Sequence, residues 1–98
     1  MTALFVTRHQ GAVEWAQRQG ISAQMVAHLD PGAIQPGDLV MGTLPVQLAA
    51  EVCARGGRYL HLELDLPAEA RGRDLSADDM DRFGAKLTSF RVQREDKL

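Results

Sequence analysis

Cysteine is nearly absent: Cys53 is the single one in 98 residues. One thiol rules out an intramolecular disulfide and any cysteine-rich zinc site, and it fits a reducing compartment. No apolar run approaches the roughly eighteen residues a membrane helix needs, and no basic-then-apolar leader follows Met1, so a soluble cytoplasmic protein is expected. Positive charge is not in excess either. Eleven Lys and Arg stand against thirteen Asp and Glu, a formal net charge of −2, which disfavours duplex nucleic acid as a partner because phosphate backbones select a basic field. With aromatics at 5% and no aromatic-basic stripe, linear RNA is disfavoured as well. Several motifs are missing too. There is no Walker A glycine-lysine loop and no GxGxxG, which argues against ATP hydrolysis and dinucleotide binding, and no HExxH or His-x-His spacing for a metal. Neither a cofactor nor a metal is expected.

What is present is an ordinary globular composition, 45% hydrophobic and 24% charged, enough for one small domain over residues 1–93 with a charged tail at 94–98. Leu4 to Thr7 is a β-favouring run. Ala12 to Gln19 then winds into a helix with Ala12, Trp15, Ala16 and Gln19 on one face, closed by Gly20. Ala23 to Leu29 is β-compatible and runs into the Asp30-Pro31-Gly32 turn. Pro36-Gly37 marks another turn before a third strand over Asp38 to Thr43. Leu44 to Arg55 predicts a helix, with Pro45 in its first turn, Leu48/Val52 and Ala49/Cys53 at i,i+4 spacing, and Gly56-Gly57 as its stop. Cys53 belongs on its buried face. Arg58 to Leu66 alternates strictly, placing Leu60, Leu62, Leu64 and Leu66 on one face and Tyr59, His61, Glu63 and Asp65 on the other. Ser76 with Asp79 reads as a capping box opening a third helix whose stripe is Ala77, Met80, Phe83 and Leu87. Ser89 to Gln93 is a final strand.

This order predicts an α/β fold: a small Rossmann-like domain with a mainly parallel, roughly five-stranded sheet and three helices. The short link from Asp30 to Gly37 leaves open an antiparallel pairing of strands two and three. In the 2-1-3-4-5 order, strands one and three meet at the switch point where open α/β sheets place ligands. Three helices cannot cover both faces of five strands, so a second subunit, hence a homodimer, is expected over part of one face.

Two strand-to-helix turns are the candidate site. Thr7, Arg8, His9 and Gly11 follow the first strand, where helix N–H groups without intrahelical partners form an anion-binding mouth. Arg8 can donate two parallel hydrogen bonds to a phosphate and His9 can exchange a proton near neutral pH, as phosphodiester cleavage requires. The plainer alternative pairs Arg8 with Glu14 and leaves His9 to cap a loop. Gly42, Thr43 and Leu44 form the second turn, in which Gly42 admits a ligand to the backbone and Thr43 offers a hydroxyl to phosphate or ribose, or else caps the helix. Within Arg71-Gly72-Arg73, Arg71 is a further phosphate contact, with pairing to Glu69 or Asp74 as its alternative. Trp15 is read as core, His61 and Glu63 as a polar strand face, and Asp78, Asp79 and Asp81 as the acidic start of a helix.

Three blocks, TRHQGAVEWA, HLDPGAIQPGDLVMGTLPVQLAAEVCARG and RYLHLELDLPAEARGRDLS, resemble the small CRISPR-associated proteins encoded beside type III effector complexes, along nearly the whole chain. The resemblance implies ring nuclease activity: degradation of cyclic oligoadenylate, notably cyclic tetra-adenylate, which switches off the antiviral response. Such a reaction needs neither metal nor external nucleophile, since each ribose 2′-hydroxyl can attack its own phosphate. Arg8 then stabilises charge, Thr43 positions and His9 is the acid or base. Alternatives are a binding-only sensor or sponge of the same messenger, and a protein-interaction module.

Overall fold

The computed structural model describes residues 2–95, so the outer part of the expected tail, residues 96–98, lies outside the described residues. Its strands are β1 (Ala3–Val6), β2 (Gln24–Val26), β3 (Leu39–Gly42), β4 (Arg58–Glu63) and β5 (Lys86–Phe90). The helices are α1 (Gln10–Arg18), α2 (Val46–Ala54) and α3 (Ala77–Arg82), and single 3-10 turns lie at Pro31–Ala33 and Ala68–Ala70. The five strands form one sheet in the order β2-β1-β3-β4-β5. All neighbours are parallel except β4 and β5. The open question of β2 and β3 resolves simply: they never pair, because β1 lies between them.

Alternation along the strands divides the core. Phe5, Met41 and Leu62 point to one face, where Ala12, Trp15 and Ala16 of α1 and Ala77 and Met80 of α3 cover them. Val40 and Tyr59 point to the other, where Ala49 and Val52 of α2 and Ile34 close over them. Trp15 is therefore core, as its spacing with Ala12 and Ala16 predicts. Full burial of a side chain such as Phe5 contributes on the order of 2 kcal/mol, and the small residues of α1 let the helix lie close to the sheet.

Three expectations need correction. The final strand starts at Lys86, three residues earlier than its β-favouring composition suggests, because α3 stops at Arg82 and Gly84, at φ +72°, turns the chain back. Leu87 thus belongs to β5, opposite Leu62, and not to the stripe of α3. Second, β2 is only three residues long, Gln24–Val26, pairing with Leu4, Phe5 and Val6 of β1. Third, the odd face of β4 is not uniformly polar. Tyr59 is 3% exposed and packed beneath α2, while His61 and Glu63, opposite Thr88 and Lys86, are only partly buried.

The capping box is present in both directions: the Ser76 hydroxyl accepts from the Asp79 N–H, and the Asp79 carboxylate accepts from the Ser76 N–H, each at 3.1 Å. Those bonds hold the Asp79 carboxyl below its ordinary value of 3.8. Arg18 at the end of α1 reaches Asp78 at 2.6 Å, an exposed pair of small energetic weight that nonetheless joins α1 to α3.

Asp38 is the one buried charged residue in the described core. One carboxylate oxygen accepts from the Gln35 N–H at 2.9 Å and the other from the Thr2 N–H at 3.0 Å, which ties the start of β3 to the start of β1. These bonds hold its carboxyl below the usual 3.8. A depressed value means that the stabilisation is complete above 3.8 and is lost as pH falls through the native value. Asp38→Asn is therefore expected to melt lower than wild type at pH 7, with the gap narrowing at pH 3. Thermal unfolding at both pH values tests this, and a gap that does not change with pH would contradict it.

Candidate functional site

Parallel pairing of β1 with β3 brings their carboxyl ends together, Val6 beside Gly42, and this is the point where the strand order reverses. Gly42 has φ +139°, and a Cβ there would lie 2.5 Å from the Val6 carbonyl oxygen. Only glycine lets β3 turn away toward α2 while staying against β1. Two loops then rise on either side of a pocket of about 190 Å³. Its floor is apolar, from Phe5, Leu62 and Met80, and its rim carries Thr7, His9, Thr43 and Arg73.

Each rim residue is set by local backbone. Thr7 follows β1, and its hydroxyl accepts the His9 N–H at 3.1 Å, a short turn that lifts His9 to the N-cap of α1. The His9 side chain makes no capping hydrogen bond. It is exposed, and His9 lines the pocket. Thr43 does not cap α2: the N-cap is Pro45, two residues on. Arg73 arrives from the loop between β4 and α3, over the pocket wall formed by Leu64 and Leu75.

The expected site residues therefore separate. Thr7, Gly42 and Thr43 line this pocket with His9. Arg8 is exposed outside its lining, and among the described residues it forms no ion pair with Glu14. Arg71 lines a separate, shallower hollow beside Leu66 and Phe83; the neighbouring Arg73 is the arginine that reaches the switch point. Gly11 meets protein and not open space, since a Cβ there would come within 1.9 Å of the Leu75 carbonyl oxygen. Leu44 donates its N–H to the Tyr59 hydroxyl at 2.8 Å, so that amide is already satisfied.

Tyr59 was not legible as part of this site. Its hydroxyl also donates to the Gly42 carbonyl at 3.1 Å and lies 2.6 Å from His61 Nδ1. Burial pushes the phenol above its ordinary value of 10, and the Leu44 N–H offsets this only in part, so the hydroxyl keeps its proton at neutral pH. One available signal was that Tyr59 is the only tyrosine, set on a strand face otherwise made of His61, Glu63 and Asp65.

Chemically, the pocket offers one imidazole, one guanidinium and two hydroxyls around an apolar floor that admits a sugar or the edge of a base. Asp74 adds a single carboxylate. Among the described residues no three His, Cys, Asp or Glu side chains gather as a metal-binding group, and no helix is long and apolar enough to cross a membrane. Comparison with curated proteins and with solved structures gave no match in either set. The family described as "Putative CRISPR-associated protein (Cas_VVA1548)" matches over residues 4–93, a span that includes every strand from β1 to β5 but for the first residue of β1, and all four rim residues. The chain belongs to that CRISPR-associated family.

Proposed function

We propose that the protein is a ring nuclease that opens cyclic oligoadenylate, cyclic tetra-adenylate first among them, in a type III CRISPR system. The observation that carries this reading is the gathering of Thr7, His9, Thr43 and Arg73 around one pocket at the switch point of a CRISPR-associated protein. The resemblance of the sequence to ring nucleases of type III systems supplies the substrate.

In the proposed reaction a ribose 2′-hydroxyl attacks the adjacent phosphorus and loses its proton, while the bond from phosphorus to the 5′-oxygen breaks and that oxygen gains a proton. The products are a linear oligoadenylate end with a 2′,3′-cyclic phosphate and a free 5′-hydroxyl. His9 is the proton carrier, Arg73 and the exposed Arg8 balance charge on the phosphate, and Thr7 and Thr43 hold the ribose in line. A pocket of about 190 Å³ has room for part of one nucleotide, not for a ring of several, so the ring spans pockets of two subunits. A homodimer belongs to the proposal for that reason.

Labelled cyclic tetra-adenylate incubated with the protein in EDTA tests the reading. The expected product is a linear oligoadenylate ending in a cyclic phosphate. His9→Ala is expected to slow cleavage about 10²–10⁴-fold, and Arg73→Ala to weaken binding. One observation favours the binding-only alternative: among the described residues no side chain orients the His9 imidazole, as a general base usually requires. Tight binding without product would select that sponge, and neither binding nor product would reject both.

A further inference from the structure

We infer that Tyr59 and His61 are positioning residues of the switch-point site, with the Tyr59 phenol fixing both peptide groups that flank Thr43 and His61 holding the phenol proton in place. The functional half of this inference rests on the proposed reading of the pocket; the structural half does not.

A phenol has one proton and can accept through its lone pairs. Three groups surround the Tyr59 hydroxyl: the Leu44 N–H at 2.8 Å, the Gly42 carbonyl at 3.1 Å and His61 Nδ1 at 2.6 Å. Leu44 can only donate and Gly42 can only accept, so the phenol proton is required by Gly42. His61 can act in either sense, and only one sense satisfies all three groups. If Nδ1 carries a proton, it donates to the phenol oxygen beside Leu44, and the phenol proton remains on Gly42. If Nδ1 is bare, it competes with Gly42 for that single proton, and the 3.1 Å approach of the phenol to the Gly42 carbonyl becomes an unfavourable contact between two oxygens, although the carbonyl keeps its ladder bond within the parallel β3–β4 pair. The structure therefore assigns the proton of His61 to Nδ1.

The surroundings support this assignment. His61 meets the edges of two aromatic rings, Tyr59 at 5.7 Å and Phe90 at 5.8 Å between centroids, which restrict rotation of its ring. Glu63, the nearest carboxylate along the same face, is engaged by the Thr88 hydroxyl at 2.7 Å. Thr43 itself lies between the two clamped peptides and lines the pocket. Loss of the clamp moves Thr43 without touching any ligand, and small errors of placement in such a site cost up to about 10² in rate.

Amide hydrogen exchange and turnover on three variants test the inference. Tyr59→Phe keeps the ring packed against Val40 and Val52 but removes the clamp; exchange at Leu44 is expected to rise at least tenfold, and kcat for cyclic tetra-adenylate to fall about 10- to 100-fold with KM little changed. In His61→Asn the amide nitrogen can take the place of Nδ1 as a donor, and both properties are expected to stay near wild type. His61→Asp offers an acceptor there and is expected to behave like Tyr59→Phe. Unchanged Leu44 exchange in Tyr59→Phe, or equal behaviour of His61→Asn and His61→Asp, would overturn the inference. If wild type cleaves nothing, the ring nuclease reading fails, while the exchange data still decide whether the clamp exists.

Discussion

Gly11→Ala is expected to lower the melting temperature by about 15 °C. Intrinsic propensity argues the opposite sign, because alanine inside a helix is favoured over glycine by about 1 kcal/mol. Contact decides otherwise. The new methyl would sit 1.9 Å from the Leu75 carbonyl oxygen and 3.2 Å from the Ser76 Cα, and these are backbone atoms that cannot rotate away. They also lead directly into the Ser76 capping box, so displacing them disturbs the start of α3. Overpacking against such a wall falls at the upper end of the usual range, about 3 kcal/mol, and in a domain of this size 1 kcal/mol corresponds to about 4–8 °C. Thermal and urea unfolding of the variant measure the loss. A melting temperature equal to or above that of wild type would show that α1 can move away from the Leu75 turn at little cost.

Gly42→Ala comes second and strikes fold and site together. At φ +139° an alanine is strained by about 1–3 kcal/mol before any contact is considered, and its methyl would approach the Val6 carbonyl oxygen to 2.5 Å. The two effects together are expected to cost about 3 kcal/mol, with the carboxyl ends of β1 and β3 forced apart. Thr7 and Thr43 then separate, so binding of the proposed nucleotide ligand is expected to weaken even at temperatures where the variant is fully folded. Measuring affinity for cyclic tetra-adenylate well below the melting point separates the two losses. Wild-type affinity in a destabilised variant would show that the pocket does not depend on the spacing of those strand ends.

The contrast between these glycines and the features legible beforehand is one of distance along the chain. Helix α2 could be read from Pro45, the i,i+4 pairs and Gly56, and the capping box from Ser76 and Asp79, since every partner lies within a turn or two. The parallel sheet followed from the alternation of short apolar runs with helices. Gly11 reads as a mere break until Leu75 folds against it, and Asp38 reads as the first residue of a strand until Thr2 lies beside it. Arg73 differs from Arg71 by two positions, and only the path of the loop over Leu64 and Leu75 decides which one reaches the pocket. Periodicity carries no information about any of these meetings. For the same reason Tyr59, which looks like one member of a polar strand face, is buried beneath α2 and reaches the turn around Thr43.

The placement of β1 between β2 and β3 also sets the order in which the molecule can be completed during synthesis. The first strand made is enclosed only when residues 39–42 have emerged and paired with it, and β4 and β5 then add outward in chain order. The two loops of the pocket exist by the time α2 has formed, yet the peptide groups on either side of Thr43 wait for Tyr59, and Arg73 comes later still. A nascent chain halted between β3 and β4 would carry Phe5 of the pocket floor without Leu62 or Met80, and without the clamp or the guanidinium that complete the rim. The rim around Thr43 and Arg73 is thus completed only after the central strands have already committed to their neighbours.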